Sequence, residues 1–188
     1  MDDIVVETAR LALRNWRPGD REQFLHHLNT ANVMRWLGGV QDEATANAAL
    51  DRIDGFQRDY GHTFWIVERR DDRELLGFCG LKRVNADNTL MTGEFEIGWR
   101  LREDAWGQGY AREAASASLD LAFTRCAAPH VVALTVAGNR ASWILMERLG
   151  MTRRPDLDFD DPRYSGEANP TIVYRIDRDD WLSFQSAR

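Results

Sequence analysis

Apolar and polar positions alternate along residues 8–16. Leu11, Leu13 and Asn15 fall on one side and Arg10, Ala12 and Arg14 on the other, so the segment reads as a strand. Pro18, Gly19 and Asp20 then mark a turn and a helix start. The spacing changes to three and four residues over 22–31 and again over 43–60. In the second stretch Ala46, Ala49, Leu50, Ile53 and Phe56 share one face. An apolar connector at 33–39 lies between them. From residue 63 the period drops back to two, and 63–68, 74–84 and 92–101 read as three successive strands. Their turn signals are Asp71, Asp72 and Arg73, then residues 85–88. A helix is expected over 109–125, a short β-branched strand over 131–136, and a helix over 140–149. Asn139 is the expected N-cap of that helix, and Gly150 the left-handed residue past its end. A last strand covers 171–176. The fold class is α/β, with a mixed, mostly antiparallel sheet.

The chain has 188 residues, which fits one domain over 1–188 with a single sizeable core. A formal net charge of −6 argues against a nucleic-acid partner, which asks for a basic face. Cys79 and Cys126 form no CxxC pair and read as small apolar residues. No apolar run approaches the roughly 18 residues of a membrane span, so no membrane partner is expected and the cytoplasm is the default location. None of the four histidines falls at a metal-ligand spacing, so no metal is expected.

The chemistry concentrates in two segments. In Trp106-Gly-Gln-Gly-Tyr-Ala111, the glycines at 107 and 109 let an anion approach the backbone, and the helix behind them points unpaired N–H groups at the turn. Further on, Asn139-Arg-Ala-Ser142 opens the next helix. Neither a GxxxxGK[ST] loop nor a GxGxxG followed by an acid is present, which sets aside the common nucleotide folds.

These segments, with Glu96-Ile-Gly-Trp-Arg-Leu101 and Glu147-Arg-Leu-Gly-Met151, resemble the GNAT superfamily of acetyl-CoA-dependent N-acetyltransferases. The likeness leans to its ribosomal-protein-alanine branch. It implies a sheet with a splayed parallel strand pair, here 92–101 and 131–136, that holds the pantetheine arm of acetyl-CoA. By resemblance, the backbone of Trp99 and Leu101 pairs with the arm, and Asn139 bonds it from the far side. Trp106, Gly107, Gln108, Gly109, Tyr110 and Ala111 hold the pyrophosphate, although Trp106 stands where the superfamily often has Arg or Gln.

The amine acceptor must be neutral to attack. Deprotonation at pH 7 costs an α-amine of pKa about 8 roughly 1.4 kcal/mol, and a lysine roughly 4.6 kcal/mol. A protein or peptide N-terminus is therefore the favoured acceptor, with a small-molecule amine as the alternative and a non-catalytic acyl-CoA-binding module as a third reading. Glu96 is the leading candidate for the general base and Glu94 the second. A Tyr in the last helix often protonates the leaving thiolate in this superfamily. Met146 stands at that place here, which makes Ser142 the expected donor. Arg35, Trp36, His62 and Trp65 are candidates for the acceptor side. Asp156, Asp158, Asp160 and Asp161 read as a solvated acidic loop. A second copy of the chain is a further candidate partner.

Overall fold

The computed structural model describes residues 3–186. One sheet contains β1 (Ile4–Glu7), β2 (Leu11–Arg14), β3 (Phe64–Arg69), β4 (Leu75–Arg83), β5 (Phe95–Leu101), β6 (His130–Val136), β7 (Thr152–Arg153) and β8 (Thr171–Asp177), in the order β1-β2-β3-β4-β5-β6-β8-β7. Every neighbouring pair is antiparallel except β5 with β6. The helices are α1 (Asp20–Leu28), α2 (Glu43–Tyr60), α3 (Tyr110–Thr124), α4 (Arg140–Arg148) and α5 (Arg178–Ser186).

The periodic segments become the elements their spacing predicts. α2 keeps its expected limits because both ends carry a signal. The Asp42 carboxylate accepts from the Thr45 N–H at 2.7 Å, and Gly61 closes the helix at φ +70°. The strand expected over 8–16 is shorter: Thr8 to Arg10 form a turn that pairs β2 with β1. β1, β7 and α5 carry too little periodicity to be seen in the sequence. Expected strand 92–101 begins only at Phe95, because residues 90–94 turn back on β4 through Gly93 N–H to the Val84 carbonyl.

Two layers cover the sheet. On one face α3 sets Ala114, Ala115, Leu119, Ala122 and Phe123 against Leu13, Val67, Cys79, Leu81 and Ile97. The alanines let the helix lie close to the strands, and each large apolar side chain buried here contributes roughly 1.5–3 kcal/mol. On the other face α1 and α2 bring Phe24, Leu28, Leu50 and Ile53 onto Phe64, Ile66 and Phe78.

The start of α1 is fixed by charge. Arg14 is 4% exposed and donates to Asp20 at 2.7 and 3.0 Å and to Glu68 at 2.6 Å. Burial works against its charge, and the hydrogen bonds of Asp20 and Glu68 outweigh burial and raise its pKa. Arg14 thus ties α1 to the middle of the sheet. Among the described residues, no helix is long and apolar enough to cross a membrane.

Candidate active site

The parallel pair parts almost as soon as it forms. Glu96 pairs with Val132 and Ile97 with Ala133, and no further register joins the strands. On the other side β5 stays paired with β4 as far as Leu101. The Glu94 carbonyl accepts from Val84, and the Arg102 N–H donates to Leu76. Because hydrogen-bonded partners alternate along an antiparallel pair, the even-numbered residues of β5 bond β4. The odd-numbered residues, Ile97, Trp99 and Leu101, therefore turn their backbone groups toward β6. Past Ile97 those of Trp99 open into the split. At Leu101 the Trp106 indole takes the carbonyl, at 2.8 Å, which leaves the N–H facing the gap. Trp99 is half-buried and Leu101 buried, so the split has an apolar wall.

At the end of the split the chain turns through a short 3-10 helix into the glycine turn. Gly107 sits at φ +72° and Gly109 at φ +81°, a region that disfavours any side chain. Gly109 occupies the N-cap of α3 with no side-chain cap. The Glu113 N–H returns to the Gly109 carbonyl, and the first amides of the helix stay open, as an anion requires. Trp106, which carries no charge to offer an anion, is 49% exposed. A cation arrives instead from another part of the chain. Arg10, in the β1–β2 turn, donates to the Gln108 carbonyl at 2.9 Å, lies 4.5 Å over the Tyr110 ring and pairs with Glu113 at 2.7 Å. Nothing in the spacing near residue 10 signals this, because the contact spans about half the chain. Gln108 itself donates to the Asp104 carbonyl, so its side chain braces the turn.

Across the split, α4 begins at Asn139, but the side chain does not cap the helix as expected. It turns along the helix and its Nδ2 donates to Ser142 Oγ at 3.1 Å. Occupied as an acceptor, the Ser142 hydroxyl keeps its own proton to give. Met146 is 2% exposed and fills the core below. Gly138, just before Asn139, must be glycine for packing: a Cβ there would stand 2.6 Å from the Trp36 ring. Trp36 therefore lies against the same loop as Asn139, while Arg35 is exposed and stacks on Trp36 at 4.6 Å.

Glu96 is 8% exposed and forms an ion pair with Lys82 on β4. Glu94 lies before β5 at the closed end of the pair and meets His130 Nε2 at 2.9 Å. The two carboxylates thus serve different neighbourhoods, and only Glu96 belongs to a paired rung, one residue before the last pair ahead of the split. His62 and Trp65 do not join this group. His62 is buried between the Tyr60 and Phe95 rings, with Nδ1 at 3.1 Å from the Leu81 carbonyl, and burial lowers its pKa. Trp65 is 3% exposed in the α3-side core. Alternation put both on the sheet, but burial gives them to the core. The acidic run is solvated only in part: Asp156 and Asp160 are exposed, whereas Asp158 is half-buried and Asp161 buried. Asp156 pairs with Arg154, Asp158 with Arg153 and Asp161 with Arg163. Asp161 is 3% exposed; burial opposes its charge, and bonds from Arg163 outweigh burial and lower its pKa. Among the described residues, no cluster of His, Cys, Asp and Glu is arranged to hold a metal.

A split parallel pair with unpaired backbone on its wall, opening onto uncapped helix amides, defines an acyl-carrier transferase fold. The comparisons with known proteins name it. The model of the acetyltransferase (GNAT) domain matches residues 10–152, and the chain belongs to that family. It is 32% identical to the uncharacterised protein YkkB of Bacillus subtilis over 145 residues, covering 77% of this chain and 83% of that one. The crystal structure of an acetyltransferase from Agrobacterium tumefaciens superposes with a TM-score of 0.76 at 26% identity, covering 91% and 92%. The fold recurs in a spermidine N-acetyltransferase from Vibrio cholerae, with a TM-score of 0.73 at 19% identity over 93% and 99%. It recurs again in a ribosomal-protein-S5-alanine acetyltransferase from Vibrio fischeri, with a TM-score of 0.71 at 14% identity over 94% and 97%. The protein is an acetyltransferase that uses acetyl-CoA.

Proposed function

We propose that the protein transfers acetyl from acetyl-CoA directly to a primary amine held at the open end of β5, and that an α-amine, as at a peptide N-terminus, is the acceptor. The observation that carries this reading is the split itself. Its wall offers the Trp99 and Leu101 N–H groups beside Glu96, with Asn139 and Ser142 opposite. In this reading the pantetheine amides add to β5 as a strand would. The pyrophosphate lies on the amides of Tyr110 and Ala111, and Arg10 supplies the charge that Trp106 does not.

Glu96, through a water, takes the proton of the ammonium group, and the neutral amine attacks the thioester carbonyl. A backbone N–H of the split receives the developing oxyanion, a contribution of several kcal/mol in such sites. As the tetrahedral intermediate collapses, the C–S bond breaks, Ser142 gives its proton to the thiolate, and the proton released by the acylated nitrogen restores the serine hydroxyl by way of solvent. An α-amine suits a site whose base is already in an ion pair, because it asks about 3 kcal/mol less for deprotonation than a lysine.

The test is release of free thiol from acetyl-CoA with a library of N-terminal peptides and small amines. Tight acetyl-CoA binding without turnover on any acceptor would sink the transfer reading. Two variants probe the parts. Ser142→Ala is expected to lower kcat by roughly ten- to a hundredfold while acetyl-CoA affinity holds, since one hydrogen bond to a charged group is worth about 1.5–3 kcal/mol. Arg10→Ala is expected to weaken acetyl-CoA binding roughly two- to fivefold in calorimetry and to flatten its salt dependence, because the lost contact is an exposed charge pair. Unchanged affinity and salt slope would remove Arg10 from the phosphate site.

A further inference from the structure

Glu96, Gly98 and Arg100 alternate onto the same face of β5, the face that α1 and α2 cover. Their surroundings differ sharply. Glu96 is neutralised by Lys82. At Gly98 a Cβ would stand 2.8 Å from the Phe64 ring, so that ring forms the surface there, and it stacks on Phe78 at 4.7 Å. Arg100 lies over Phe78 at 5.2 Å and Phe24 at 5.8 Å. It is half-buried, its Nε is buried with no hydrogen-bond partner, and among the described residues no carboxylate answers its charge. Desolvation pushes its pKa down to about 10, with Tyr164 the group that partly offsets this.

A guanidinium taken out of water without a counter-charge is costly, unlike that of Arg14, which Asp20 and Glu68 answer. On its helix side Arg100 lines a cavity of about 30 Å³ together with Phe24, Leu50, Ile53 and Phe78. That is room for about two waters. A larger anion must therefore reach Arg100 from the other side. There Tyr164 lies, held against the connector by a ring 3.6 Å from the Cβ position of Gly38. The connector is the segment that carries Trp36 to Gly138. Arg100 stands about 13 Å along the strand from Glu96, with the reacting end of the split between them.

We propose that Arg100 is the acceptor's anion anchor, so that the physiological acceptor is a primary amine that also bears a carboxylate. This rests on the acetyl-transfer reading above and narrows its acceptor. The carboxylate accepts from the Arg100 guanidinium, the carbon skeleton crosses the Phe64 ring, and the amine reaches the thioester beside Glu96. A polyamine offers only positive charge to this wall and is a poor acceptor. An amino acid whose reacting amine lies several carbons from its carboxylate and a peptide with an acidic residue near its N-terminus present the same chemistry.

The experiment measures kcat/KM with matched pairs: lysine against cadaverine, 6-aminohexanoate against pentylamine, and a C-terminally amidated peptide starting Ala-Asp against one starting Ala-Asn. The carboxylate member of at least one pair is expected to be preferred tenfold or more. That preference should fall to near unity in Arg100→Gln, through KM, and survive in part in Arg100→Lys. The amino-acid pairs and the peptide pair separate the two sources. Equal use of both members in every pair, or a preference that Arg100→Gln leaves intact, overturns the proposal. Calorimetric binding of the same compounds to the CoA-loaded protein gives a readout independent of turnover. No discrimination there, or none lost in Arg100→Gln and Arg100→Lys, also overturns it. Acetyl-CoA affinity is expected to be unchanged in both variants, so a failure of the acetyl-transfer reading shows separately, as loss of donor binding or of all turnover in the wild type.

Discussion

Arg14→Met is expected to destabilise the protein by about 3–5 kcal/mol, the range for removing one partner of a buried ion pair. At this chain length that corresponds to a fall of roughly 10 °C in the melting temperature. The substitution keeps the volume and removes the charge, so the effect isolates electrostatics from packing. It leaves Asp20, 5% exposed, with the Arg17 backbone N–H as its remaining donor, at 2.6 Å. Glu68 fares better, since Arg17 and Arg73 also reach it, at 3.1 and 3.3 Å. Asp20 is therefore the group whose desolvation goes uncompensated. Chemical denaturation with an unchanged slope and a lower midpoint would be the expected record. A loss under about 1 kcal/mol, the range of a surface pair, would show that water reaches the network after all. The consequence extends beyond stability, because α1 carries Phe24 to the ring stack on which Arg100 lies.

Glu96→Gln is expected to lower kcat at least about 100-fold, the lower end of what a positioned general base contributes. The amide is nearly isosteric and cannot take a proton. KM for acetyl-CoA should stay close to its starting value, because the donor meets the backbone of β5 rather than this side chain. Steady-state kinetics at saturating acceptor make the comparison. Wild-type kcat in the variant would remove Glu96 as the base. Glu94→Gln serves as the control. Its carboxylate sits at the closed end of the pair against His130, so a small effect is expected. A larger loss in Glu94→Gln than in Glu96→Gln would reverse the assignment.

Much of this fold is legible in the chain because its central elements obey local rules. α2 announces itself through Asp42, its apolar face and Gly61. The turn at 106–111 is legible because two glycines are needed where φ is positive. Asn139 was visible as a helix start, but the partner of its side chain was not. A cap and an i to i+3 contact with Ser142 ask for the same residue at the same place, and only geometry separates them. The acidic run was legible only in part, for a related reason: Asp156 and Asp160 are exposed, and Asp161 is not. A string of aspartates looks solvated unless the arginines that neutralise it, at 153, 154 and 163, are counted with it.

What the sequence by itself determined is the periodic frame: which residues alternate, which repeat every three or four, and where glycine must bend the chain. These are short-range properties, written within a few residues of where they act. Tertiary structure decided everything that depends on two distant segments meeting. It brought Arg10 to the glycine turn, Trp36 to Gly138 and Lys82 to Glu96. It gave His62 and Trp65 to the core. Among the described residues it left Arg100 without a carboxylate. Whether a charge is answered is a property of the space around it, and the sheet order that creates that space lies outside any local window of the chain.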